Sequence, residues 1–170
     1  CLLSRGLGDV YKRQECNWEH IDTLRKLHIK EAGRETRSEG SWRKQLEAVQ
    51  NREAFLILGH IDNECVSGGL FSISKTNCYY WISASRSDLL HKSLFHPLMW
   101  NAVLHAKKLG CHWFEAGEQV FPNHPSNSQP TEKELGISMF KAGFGGDTKM
   151  FLDLRLDCSH KELNSRVTSE

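Results

Sequence analysis

Phe140-Lys141-Ala142-Gly143-Phe144-Gly145-Gly146 gathers one cation, two aromatic rings and three glycines into seven residues, after a short helical stretch and before an apolar run. The rings supply apolar walls and the lysine a fixed charge, while the glycines let the backbone take positive φ and let a ligand come close. This is the composition of an active-site turn. The structural alternative is a helix C-cap with a tight turn, in which Gly143 ends the helix and Lys141 answers the helix dipole.

Other chemistries find little support. The nine histidines form no ligand set: His91 and His96 are five apart, His105 and His112 straddle a helix end, and no acidic or thiol partner completes a metal-ligand spacing. No metal is expected. The six cysteines, Cys1, Cys16, Cys65, Cys78, Cys111 and Cys158, include no Cys-x-x-Cys pair and read as reduced thiols, mostly buried in strands. The sequence holds no Gly-x-Ser-x-Gly elbow, Walker phosphate loop or dinucleotide fingerprint, which argues against hydrolase, kinase and oxidoreductase readings.

Bulk properties narrow the partners. Lysine and arginine number 22 against 21 aspartate and glutamate, a net charge of +1. That balance gives no electrostatic case for DNA or an anionic membrane, and little for tRNA. No apolar run approaches the ~20 residues of a membrane span and no signal peptide is recognisable, so the expected address is the cytoplasm. Residues 1–14, Cys-Leu-Leu-Ser-Arg-Gly-Leu-Gly-Asp-Val-Tyr-Lys-Arg-Gln, resemble an adapter-derived string from the end of a metagenomic reading frame. They are expected to be such an artefact or a disordered arm and are set aside. Residues 15–156 are expected to form the domain, in a fragment of a longer protein, with 157–170 a polar tail.

The elements that must position the turn can be read in order. A helix is expected over about Glu19 to Ala32, with Ile21, Leu24, Leu27, His28 and Glu31 on one face and a stop near Gly33. Ser38 suits the N-cap of a second helix, whose stripe is Trp42, Leu46 and Val49. Three antiparallel strands follow: Ala54–Leu58, then Cys65-Val66 running to Leu70–Ile73, then Cys78–Ala84, with turns at Asp62-Asn63 and Lys75–Asn77. Gly68-Gly69 marks a bulge or a close backbone approach. From Phe95 to Leu109 apolar residues recur at three- and four-residue steps, with Pro97 in the first turn and Gly110 as the stop. Cys111–Ala116 reads as a strand, making a strand–helix–strand unit with parallel pairing. The stretch from Gly117 to Pro130, with three of the chain's four prolines, is a long loop of the functional or disordered kind. Thr131 and Glu134 form a capping box for the helix that runs into Lys141, and Met150–Leu154 is expected as a closing strand.

This order is that of a GNAT-type N-acyltransferase: an α+β fold with a mixed central sheet and helices on both faces. Leu104–Cys111, Trp113-Phe114-Glu115-Ala116-Gly117 and Phe140-Lys141-x-Gly143-Phe144-Gly145-Gly146 resemble the C-terminal domain of FemABX-like acyltransferases, of the CelD/BcsL-like and peptidoglycan-bridge type. Gly69-Leu70-Phe71 followed by Tyr79-Tyr80 adds to the resemblance, which spans about Trp18 to Leu156. It implies transfer of an acyl or aminoacyl group to an amine, from acyl-CoA in some branches and aminoacyl-tRNA in others. The acceptor would be a small molecule, glycan or peptide of cell-envelope or polysaccharide metabolism, and a first lobe would lie upstream. GNAT domains usually hold the coenzyme A pyrophosphate with an Arg/Gln-x-x-Gly-x-Gly/Ala loop before a helix. Here Ser85–Ser93 carries no glycine, leaving Arg86, Lys92 and Ser93 as the groups expected to hold an anion.

Amine attack on an ester or thioester builds a tetrahedral oxyanion, so the site needs a donor or cation aimed at it. The resemblance implies Lys141 for that role, with a solvated lysine in a last helical turn as the structural alternative. The incoming ammonium must also lose a proton, and Glu115 or Glu118 could accept it directly or through water. Phe140, Phe144, Gly145, Gly146 and Tyr80 are the expected substrate contacts, although Tyr80 could equally pack a strand. A lobe with this fold and a degraded donor loop could instead serve acceptor recognition or partner docking.

Overall fold

Asn17 accepts from the His20 N–H at 3.2 Å while His20 Nδ1 accepts from the Asn17 N–H at 3.3 Å, a reciprocal capping box that starts α1 (Trp18–Ala32). The computed structural model describes residues 16–89, 92–122 and 129–150 of the 170-residue chain. The arm at 1–14, most of the expected closing strand (151–154) and the tail from 157 lie outside the described residues. Helix α1 ends where Gly33 takes φ 68, the left-handed cap that glycine adopts without strain. Ser38 caps α2 (Glu39–Gln50) as expected, accepting from the Ser41 N–H at 3.3 Å.

Three antiparallel strands follow, β1 (Ala54–Ile61), β2 (Glu64–Ile73) and β3 (Asn77–Ser85). Asp62 and Asn63 turn β1 into β2 with φ of 50 and 66, the primed geometry that matches strand twist. Helix α3 (Phe95–Lys108) crosses over to a short β4 (Trp113–Glu115) parallel to β3, so the mixed sheet has the order β1-β2-β3-β4.

Successive strand residues face opposite ways, and Gly68 and Gly69 use that alternation. A Cβ on Gly68 would stand 2.9 Å from Leu24 Cδ1 of α1, and one on Gly69 would stand 3.0 Å from Leu98 Cδ2 of α3. The pair therefore lets one helix close on each face of the same strand. One face packs Ile21, Leu24, Leu27 and Trp42 on Ala54, Leu70, Ile82 and Ala84. The other packs α3 on aromatic rings, with His105 against Phe55 at 4.6 Å and Phe55 against Phe71 at 5.0 Å. The expected close approach at Gly68-Gly69 is present; the ladder irregularities lie instead at Gly59/His60 and Leu70/Phe71.

The chain divides into two compact units, Cys1–Glu118 and Gln119–Glu170. The second is organised around α4 (Glu132–Ala142), begun by the expected Thr131/Glu134 capping box. Ser138, buried in that helix, donates to the Val120 carbonyl and accepts from the Val120 N–H, both at 3.0 Å. Thr148 donates to Gln119 Oε1 at 2.7 Å, tying the segment after the helix to the same stretch.

Candidate active site

Strands β3 and β4 pair in parallel only at Asn77↔Trp113, Cys78↔Phe114 and Tyr79↔Glu115. Beyond that point β4 ends, and Tyr80–Ser85 runs on with no strand partner on that edge among the described residues. The sheet thus opens at the C-terminal end of a parallel pair, where an unpaired row of N–H and C=O groups can meet a ligand. Beside the opening β3 carries a bulge: Phe71 pairs with Tyr80 and Leu70 with Ile82, leaving Trp81 over. A bulge bends its strand and re-aims side chains. Simple alternation would turn Tyr80 to the α1 face with Ile82. Its ring instead stacks on Phe71 and meets Phe95 of α3, both at 5.8 Å, and Trp81 is left 40% exposed beside the opening.

The Tyr80 hydroxyl makes a short hydrogen bond with Ser83 Oγ. Burial pushes the Tyr80 phenol above its ordinary value, with the Glu31 charge adding to that effect and the Ser83 bond opposing it. Further along, the Arg86 N–H donates to the Val66 carbonyl of β2 at 2.9 Å, while the Ser85 N–H points the other way and donates to Glu31 Oε2 at 2.9 Å. Alternation places the Ser83 N–H on the same open edge as that of Ser85.

The donor-loop residues sit between β3 and α3. Arg86 is held by Asp88 at 2.5 Å and Glu64 at 2.7 Å. Its bond to Asp88 pushes the guanidinium up and holds the Asp88 carboxyl down at about 2. A phosphate arriving at Arg86 would compete with two carboxylates. Lys92 and Ser93 are exposed just before α3, whose N-cap, Leu94, supplies no side-chain hydrogen bond. Lys92 and Ser93 thus bring a charge and a hydroxyl beside a helix N-terminus, the end that favours anions, although Pro97 removes one N–H from its first turn.

Of the candidate proton acceptors, Glu115 closes β4 half-buried and accepts from Asn77 Nδ2 at 3.3 Å, whereas Glu118 is exposed beyond Gly117, which takes φ 82. In the second unit Lys141 lies half-buried in the last turn of α4, and Phe140 meets Phe144 edge-on at 5.1 Å. Gly145 and Gly146 take φ of 76 and 93, the left-handed region that favours glycine in any turn, but Gly143 caps the helix with φ −62. A glycine is not needed there for its φ. An added Cβ would come within 3.3 Å of the Phe140 carbonyl, so small size is what the position uses.

The sequence puts Glu31 on the same face of α1 as Ile21, Leu24 and Leu27 without a role, and the structure leaves it exposed at the end of that face. The signal was there, since a carboxylate in the last turn of a helix, the end that favours cations, is locally disfavoured. Among the described residues no group of His, Cys, Asp and Glu is arranged to hold a metal ion, and no helix is long and apolar enough to cross a membrane.

No protein-family model matches the chain, and no curated protein matches it in sequence. Solved structures do match its fold. The chain is similar to the aminoglycoside acetyltransferase AAC(6')-Iy in complex with a coenzyme A bisubstrate analogue (13% identity, 84% of this chain and 95% of that one, TM-score 0.61). It is equally similar to a transcriptional regulator from Bacillus halodurans C-125 (14% identity, 84% and 97% covered, TM-score 0.61). An aminoglycoside acetyltransferase from an uncultured soil metagenomic sample, in complex with sisomicin, follows at 9% identity, 84% and 92% covered and TM-score 0.60. The fold is the GNAT acetyltransferase fold, a mixed sheet with helices on both faces. At these identities the likeness carries the fold alone, and the regulator among the neighbours illustrates that a fold is not an activity.

Proposed function

We propose that this chain transfers an acyl group from acyl-coenzyme A to a primary amine. The observation that carries the reading is the sheet opening at Tyr79/Glu115, where the edge of β3 runs on beyond the end of β4 toward the segment that precedes α3. An extended thioester arm could pair with that edge while its phosphates meet the helix N-terminus, Lys92 and Ser93. The neighbour bound to a coenzyme A analogue supports the donor class, and the FemABX-like motifs support an acceptor amine on a glycan, peptide or small molecule of envelope or polysaccharide metabolism.

The chemistry needs three services. The acceptor ammonium gives up a proton, for which Glu115 and Glu118 are the candidates. The neutral nitrogen attacks the thioester carbon, forming the C–N bond, and Lys141 steadies the oxyanion. The C–S bond then breaks and the departing thiolate takes a proton. Phe140, Phe144, Gly145 and Gly146 form the turn that carries Lys141 and contacts substrate.

A second reading, a non-catalytic lobe for acceptor recognition or docking, is favoured by the double neutralisation of Arg86. Thermal shift with acetyl-CoA separates the two, because a ligand that binds only the folded state raises the melting temperature by mass action. A rise of several degrees at saturating acetyl-CoA, with coenzyme A released when amines are added, is expected. No shift with acetyl-CoA or longer acyl-CoAs would leave the docking lobe standing.

A further inference from the structure

We propose that Glu31 receives the ammonium of the acceptor at the open edge of β3, an assignment that rests on the acyl transfer proposed above. Glu31 leaves the last turn of α1 and reaches the last residue of β3, on the stretch that runs on beyond β4, fixed there by the Ser85 N–H at 2.9 Å. That bond uses Oε2 only and comes from a neutral donor. Among the described residues no lysine, arginine or histidine forms an ion pair with Glu31. Its charge is thus held at the strand edge, near enough to Tyr80 of the Tyr80–Ser83 hydroxyl pair to act on its phenol.

A carboxylate anchored through one oxygen presents the other to a cation without first losing rotamer freedom. A primary ammonium suits it better than a guanidinium, which would want both oxygens in a fork. The Tyr80 and Ser83 hydroxyls add contacts that a polar, amine-bearing acceptor uses. An edge-capping role alone would also explain the Ser85 bond. The two differ in one respect: glutamine keeps an acceptor oxygen for Ser85 but has no charge for an ammonium.

The test is isothermal titration calorimetry of the full chain with spermidine, on the wild type, Glu31→Gln and Glu31→Asp. Loss of one charge-assisted contact predicts affinity about ten- to a hundred-fold weaker in Glu31→Gln, with partial retention in Glu31→Asp and an unchanged melting temperature in both. Equal affinity in wild type and Glu31→Gln overturns the assignment, as does absence of spermidine binding by the wild type at millimolar concentration. Acetyl-CoA is titrated separately. If it does not bind, acyl transfer fails as a reading, while the spermidine comparison still decides whether Glu31 is a cation site.

Discussion

Lys141 and Lys92 carry the charge that the proposed chemistry needs, and each makes a separate demand. With Lys141 as the oxyanion donor, Lys141→Ala lowers turnover by about two to three orders of magnitude while circular dichroism stays native. Arginine restores little of it, since a planar fork does not replace a point charge. Full turnover in a folded Lys141→Ala would return this residue to its helix-end role, worth at most about 1 kcal/mol of stability. At the donor loop the ion pairs of Arg86 rank two residues that looked equivalent. Lys92→Ala weakens acetyl-CoA binding in a salt-dependent way, and Arg86→Ala weakens it less, because Asp88 and Glu64 already take up its charge. Calorimetry at low and high salt checks the ranking, and a larger loss in Arg86→Ala sinks it. That difference was not legible in the sequence. Asp88 is two residues from Arg86, but Glu64 comes from the start of β2, and only strand pairing brings it near. Glu31 was likewise visible on its stripe, while its partner, Ser85, lay a sheet away.

Elements whose signals are local were legible almost to the residue. Ser38 and the Thr131/Glu134 box cap their helices as read, and Asp62-Asn63 turns its hairpin, because each acts on its own backbone within three residues. The bulge at Trp81 was not legible, since an unpaired residue is defined only against the neighbouring strand. The end of α1 yields a prediction of the same kind, because His28 packs edge-on against Trp42 at 5.6 Å and faces Arg37 and Thr36 across the α1–α2 connection. Burial, with the Arg37 charge adding to it, holds its imidazole below the ordinary 6.5. The unfolded chain therefore takes up a proton near pH 6.5 that the folded imidazole resists. This contribution to stability is complete above that pH and is lost as pH falls toward the depressed folded value. Melting temperature is expected to fall between about pH 7.5 and 5.5, and less steeply in His28→Gln. Burial of His105 acts in the same direction, so His28→Gln flattens the profile only in part. A wild-type profile flat over that range would show that His28 titrates normally.

For the molecule as a whole, charge balance speaks to the donor. Neutralising the phosphates of a tRNA needs a cationic face, and the +1 net charge offers none in bulk. Filter binding of deacylated and aminoacylated tRNA at about 150 mM salt is expected to show no retention, since the few contacts available lose their strength as counterions compete. Salt-resistant retention of the aminoacylated form would move the donor from a coenzyme A thioester to an aminoacyl ester. The central sheet, with an α1/α2 layer on one face and α3 on the other, does not depend on that choice. What does depend on one position is the wedge between β3 and β4. Trp81 is one residue more than β2 can match. An in-frame loss of that single codon would even out the ladder and remove the bend, leaving Tyr80 opposite Phe71 on the α3 face, while the buried residues of α1, α2 and α3 kept their partners. Selection on the length of β3 at this point is therefore selection on the bend beside the sheet opening and on Trp81 itself, and a lineage could lose both in one mutational event without losing a foldable protein.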